Sequence, residues 1–157
     1  MATLTVQIKE TLNLNGKEQG SVNTKTISDI TQCLKTIVEV PTSEINLLTF
    51  ASAAAGITTL DQDDVEYIRI TNLDTTNYIT IGIEKESSTA SVAAFRIDAG
   101  RSFIVATPNT TTEHPQFFTS DSAHDSSATQ IDIETITALA NTDTCKLELF
   151  VALNTTT

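Results

Sequence analysis

Short runs in which every second residue is apolar constrain this chain more than any other feature. Leu4, Val6 and Ile8 alternate, and Leu12 and Leu14 resume in the same phase; Ile79, Ile81 and Ile83 share one face, and Leu147, Leu149 and Val151 repeat the pattern near the end. A period of two puts one set of side chains on one side of an extended chain, so each run specifies a strand with a buried face. Asn15-Gly16 follows the first runs, and the chain resumes with Val22, Thr24 and Thr26. Asn-Gly tolerates positive φ at both central positions of a type I′ turn. This predicts an amino-terminal β-hairpin arm over about residues 3–27, with Lys17 to Gly20 implying a loop longer than two residues.

The remaining patterns extend the same theme. Val65, Tyr67, Ile68 and Ile70 occupy both faces of a strand, and with Tyr78 to Ile83 beyond a polar turn at Asn72 to Asn77 they predict a second hairpin. Phe95, Ile97, Phe103 and Val105 around Ala99-Gly100 predict a third, with Gly100 supplying the turn conformation. Ile131 and Ile133 begin a further strand. Between Ser28 or Asp29 as a cap and Pro41 as a stop, Ile30, Cys33, Leu34, Ile37 and Val38 recur at helical spacing, so a short helix is expected there, with an irregular strand as the competing reading. Residues 107–128, rich in Thr, Ser, Asn and Asp and holding Pro108 and Pro115, predict a long surface loop interrupted by Phe117-Phe118. Seven to nine short strands in this spacing describe an all-β fold: a single-domain β-sandwich over residues 1–157, jelly-roll-like or Ig-like, with at most one or two short helices.

Charge and composition exclude several functions. The net charge of −11 surrounds the chain with a field that repels phosphate backbones, so no nucleic-acid partner is expected. Only 18% of residues are charged, and the abundant threonine keeps exposed strand faces wettable while favouring β backbone. Met1-Ala2-Thr3 leads straight into alternation without a secretory-type leader, and no apolar stretch approaches the ~18 residues of a membrane span, so no membrane partner is expected. Cys33 and Cys145 lie far apart among apolar neighbours and read as buried free thiols.

The search for chemistry yields little. His114 or His124 could be combined with Asp121 or Asp125 and Ser122 or Ser126, but polar residues abundant by composition do not define a triad, and both histidines read as exposed loop residues. Asp61, Asp63 and Asp64 offer hard oxygen ligands without the glycine and terminal Glu of an EF-hand loop, and read as a solvated acidic turn. There is no zinc-ligand spacing and no phosphate-binding loop. The expectation is therefore no enzyme and no catalytic, cofactor-binding or metal-binding residue. Candidate partner contacts are Asn15 and Gly16 at the arm's turn and the pair Phe117 and Phe118, because adjacent residues of a strand point to opposite sides and only one ring can face the core.

Three segments carry a family resemblance: Tyr67-Ile68-Arg69-Ile70-Thr71-Asn72, Tyr78-Ile79-Thr80-Ile81, and Phe95-Arg96-Ile97-Asp98-Ala99-Gly100-Arg101-Ser102-Phe103-Ile104. Together with the Thr-rich acidic composition, they resemble small virion structural proteins of tailed bacteriophages, over roughly the middle third of the chain. The resemblance implies a capsid decoration or cement protein that bridges major capsid protein subunits or other virion proteins at symmetry points of the shell. It further implies a homo-oligomer, a trimer by preference, located in the virion and assembled in the host cytoplasm. The alternatives are a neck, tail or fibre-associated virion component and, from another class, a carbohydrate-binding β-sandwich module. Against the latter stands the absence of Trp, with Tyr67 and Tyr78 as the two tyrosines, both in strand contexts.

Overall fold

The computed structural model describes residues 2–85, 91–106, 116–118 and 130–155. Ala2–Lys9 (β1), Asn13–Leu14 (β2), Lys17–Glu18 (β3) and Val22–Ile30 (β4) form an amino-terminal ribbon. Then follow Gln32–Val40 (β5), Ile45–Ala51 (β6), Thr59–Asp61 (β7), Val65–Asn72 (β8), Ile79–Lys85 (β9), Ser91–Ile97 (β10), Ser102–Ala106 (β11), Gln116–Phe118 (β12), Gln130–Ala140 (β13) and Cys145–Leu153 (β14), with a 3-10 turn at Gln62–Asp64. Fourteen strands among the described residues exceed the expected seven to nine because short pieces such as β2, β3, β7 and β12 carry no alternation to read.

The fold is an all-β sandwich. A six-stranded sheet in the order β10-β9-β13-β6-β7, with β12 added on β13, faces a four-stranded sheet in the order β11-β8-β14-β5. The alternating runs supply the core between them: Ile79, Ile81, Ile83, Ile136 and Leu48 from one sheet meet Val40, Ile68, Ile70, Leu147, Leu149 and Val151 from the other, all fully buried. Each such side chain contributes about 1.5–3 kcal/mol of transfer free energy, the main favourable term of the fold. Phe95 and Phe103 stack across the gap between the sheets with centroids 4.7 Å apart.

Three expectations need correction. The segment from Ile30 to Val40 is not a helix: β5 pairs with β14 without a break from Gln32–Leu153 to Val40–Cys145. Its helical spacing is a coincidence of Ile37, which points outward and is exposed, with the inward Leu34 and Val38. Cys33 is for the same reason exposed rather than buried, whereas Cys145 is buried; both thiols are free. The second and third hairpins are inter-sheet arches, because β8 and β11 belong to the four-stranded sheet and β9 and β10 to the six-stranded one.

Asn72 holds both arches. It is fully buried, and its Nδ2 donates to Asn77 O at 2.8 Å and Ile97 O at 3.0 Å, while its Oδ1 accepts from Asp74 N at 2.9 Å. Its backbone N–H donates to Arg101 O, and its carbonyl accepts from Gly100 N. Gly100 has φ 69°, which a residue without Cβ adopts freely. The first arch is tightened further by Asp74, whose Oδ1 accepts from the backbone N–H groups of Thr76 and Asn77.

Candidate functional site

The ribbon is a single element. β1 pairs with β4 from Leu4–Ile27 to Lys9–Val22, and β2 with β3 at Asn13–Glu18 and Leu14–Lys17, all in one continuous register. Glu10 and Ser21 exchange both backbone hydrogen bonds between these ladders, at 2.8 and 3.1 Å. From Leu4 to Leu14 the ribbon is about 35 Å long at roughly 3.4 Å per residue. The chain reverses at Asn15, φ 53°, and Gly16, φ 77°, the positive pair that a type I′ turn requires. Because Leu14 pairs with Lys17, the turn has two residues and not the longer loop expected from Lys17 to Gly20. Gly20 instead marks a close approach, since a Cβ there would collide with the Glu10 carbonyl oxygen.

Constant register over a strand of period two puts Leu4, Val6, Ile8, Leu12 and Leu14 on one face of the ribbon, with Ile27 opposite Leu4. This stripe is divided. Near the sandwich, Leu4, Val6 and Ile27 pack on a cluster formed by Ile30, Tyr67, Ala152 and Phe150. Further out, Ile8, Leu12 and Leu14 are each more than half exposed, at 52%, 51% and 56%.

The seat for the inner half lies on the outer face of the four-stranded sheet. A bulge at Glu66 shifts the pairing of β8 with β14 from Ala152–Tyr67 to Leu153–Val65, so Val65 faces the core whereas Tyr67, two residues on, faces the ribbon. Tyr67 meets Phe150 edge-on with centroids 6.0 Å apart, an arrangement that contributes about 0.5–1.5 kcal/mol beyond area. Beside them, Arg69 Nη2 donates to Glu148 Oε1 at 2.6 Å, Nη1 donates to Thr71 Oγ1 at 2.9 Å, and the guanidinium lies over the Phe150 ring. The hydrogen bond from Arg69, with the charge of Lys35 nearby, holds the Glu148 carboxyl below its ordinary range. A groove of about 280 Å³ is lined by residues 4–8 of β1 together with Tyr67, Arg69 and Phe150 of this face and Ile104 of the edge strand β11.

The sequence candidates are not brought together. Asn15 and Gly16 form the distal tip of the ribbon. Phe117 and Phe118 belong to β12, where their backbones pair with Ile131 and Gln130; the assignment of one ring to a partner lies outside the described residues. The rest of the expected 107–128 loop, with His114, His124, Asp121, Asp125, Ser122 and Ser126, also lies outside them. Asp61 caps the 3-10 turn by accepting from Asp63 N at 3.1 Å, and burial followed by the charges of Asp61 and Asp63 pushes the Asp64 carboxyl up. No group of three or more acidic, His or Cys residues among the described residues is arranged to hold a metal ion.

The sequence pattern of Val65, Tyr67, Ile68 and Ile70 places apolar residues on both faces of β8, and the structure buries Tyr67 and Ile68. What that pattern does not name is the element that covers the outer face, the ribbon. A scan of the chain against protein-family models finds no match, and neither does a search of curated proteins.

Proposed function

We propose that this chain is a structural component of a tailed-phage virion, and specifically a capsid decoration or cement protein that bridges major capsid protein subunits as a homo-oligomer, a trimer by preference. The observation that carries the reading is the outer half of the ribbon. Ile8, Leu12 and Leu14 form a row of exposed apolar side chains on one face of a long projecting element, where a partner surface would shield them from water. Among the described residues no further strand pairs with the outer edges of the ribbon's two strands, which an adjoining strand can extend. The resemblance of the Tyr67–Asn72 and Phe95–Ile104 segments to phage virion proteins supplies the context. No catalysis, cofactor or nucleic acid enters this reading.

The carbohydrate-binding alternative is disfavoured by the two tyrosines. Tyr67 is buried under the ribbon, and the Arg96 guanidinium lies 3.9 Å from the centre of the Tyr78 ring, covering one of its faces.

The test is binding of the purified protein to expanded capsids that lack it, alongside tails and host cells. The reading expects saturable capsid binding, reduced at least tenfold when Ile8, Leu12 and Leu14 are all changed to Ser. Binding to tails or cells without capsid binding would contradict it.

A further inference from the structure

The ribbon is joined to the sandwich by a single elbow. Asp29 has φ 61°, a left-handed conformation uncommon for a residue with a Cβ. It sits where the ribbon register slips, between the pairs Leu4–Ile27 and Ala2–Ile30. The extra residue bends β4 so that Ile27 and Ile30 both turn toward Tyr67 and Ala152. On the sandwich side of the elbow the chain is fixed: Thr31 N donates to Leu153 O at 2.9 Å, and Thr31 Oγ1 accepts from Thr155 N at 2.8 Å. Straightening at Asp29 alone would swing residues 2–28 off the sheet while Ile30 and Thr31 stay in place.

Charge is divided at the same elbow. Residues 2–28 carry Lys9, Lys17 and Lys25 against Glu10 and Glu18, a net charge of +1, so the rest of the chain, Asp29 included, carries −12 and the total is −11. Two sandwiches repel one another, while the ribbon approaches a second sandwich without that penalty. The surface shaped to receive Leu4, Val6 and Ile27 is also known: it is the Tyr67, Phe150 and Ala152 face, which every copy presents.

We propose that the ribbon is exchanged between copies of this chain: residues 2–28 of one molecule seat on the outer face of the four-stranded sheet of a second, with Asp29 as the hinge. The same contacts are made between molecules as within one, so the exchange costs no packing, and straightening the hinge removes the left-handed strain. Exchange in one rotational direction closes a ring, and reciprocal exchange closes a dimer. The inference deepens the structural-component reading by naming one partner of the ribbon, and its test does not involve capsids, so either can fail alone.

Thr5 of β1 and Ile104 of β11 both line the groove, and both are exposed. In a Cys33→Ser background, one full-length chain carries Thr5→Cys, and a second, differently tagged, carries Ile104→Cys. The two are co-expressed and treated with a short bismaleimide, and a chain carrying both substitutions reports the seat within one molecule. Exchange predicts a covalent heterodimer on a denaturing gel. Its yield should fall several-fold with Asp29→Gly, which relaxes the bent hinge, and rise with Asp29→Val, which disfavours φ above zero. A heterodimer no more abundant than with Thr5→Cys paired to a chain lacking Ile104→Cys would overturn the proposal, whether or not the doubly substituted chain cross-links internally. Equal yields from Asp29→Gly and Asp29→Val would overturn Asp29 as the hinge.

Discussion

Replacing Asn72 by alanine should destabilise the sandwich more than its location in a polar turn suggests. The side chain is fully buried and makes three hydrogen bonds, two donated to the carbonyls of Asn77 and Ile97 and one accepted from Asp74 N. At about 1 kcal/mol net for each bond, plus about 1–3 kcal/mol for buried partners left without one, the loss is about 4–6 kcal/mol. For a chain of this length, that lowers Tm by roughly 10–20 °C, at about 2–4 °C per kcal/mol. Urea unfolding followed by far-UV circular dichroism measures it, since the chain has no Trp. Asn72→Asp adds a sign test. A carboxylate cannot donate to the two carbonyls and is a buried charge beside them, so the variant should be at least as unstable as Asn72→Ala at neutral pH. Its deficit relative to the unmodified chain should shrink as the pH falls and the acid regains a donor. An Asn72→Ala variant within about 1 kcal/mol of the parent, with unchanged m, would refute the assignment of both arches to this residue.

Asp74 predicts an acid limb of the stability curve. Hydrogen bonds from Asn77 N and Thr76 N hold its carboxyl below the ordinary range, so its contribution is present above the unfolded-state value of about 3.9 and is lost as the pH falls through the lower folded value. Asp74→Asn should flatten that limb in urea midpoints measured between about pH 5 and pH 2. Leu149→Ala, which empties a fully buried core position, should cost about 2–5 kcal/mol by the same unfolding assay. Gly20→Ala should act locally: the collision with the Glu10 carbonyl loosens the ribbon, so amide exchange should accelerate at Gln19 and Ser21 while β14 keeps its protection and the urea midpoint of the sandwich stays put.

Where one face of a strand is buried and the other wet, the structure is legible in the sequence. Ile79, Ile81 and Ile83, and Leu147, Leu149 and Val151, alternate because they line the core between the two sheets, and they lie where their pattern puts them. The strand β5 was harder to read, because the exposed Ile37 and the inward Thr36 reverse the polarity that alternation relies on. The arches were misread for a different reason. Residues such as Asn72 and Gly100 announce that the chain turns, but which sheet it enters next is decided by contacts across the fold, here between Asn72 and the carbonyl of Ile97. The site divides in the same way. The Asn15-Gly16 turn is specified locally by residues that tolerate positive φ, whereas the seat joins Tyr67 to Ala152 and Phe150 through strand pairing that no local pattern encodes.

The central claim, that this sandwich serves by docking its ribbon within a virion, is tested most directly by a reconstruction of intact particles at side-chain resolution. The account predicts the sandwich on the outside of the capsid shell near a symmetry point, with Ile8, Leu12 and Leu14 covered by a neighbouring protein. Particles that lack the chain, or that carry it with this stripe open to solvent, would contradict it.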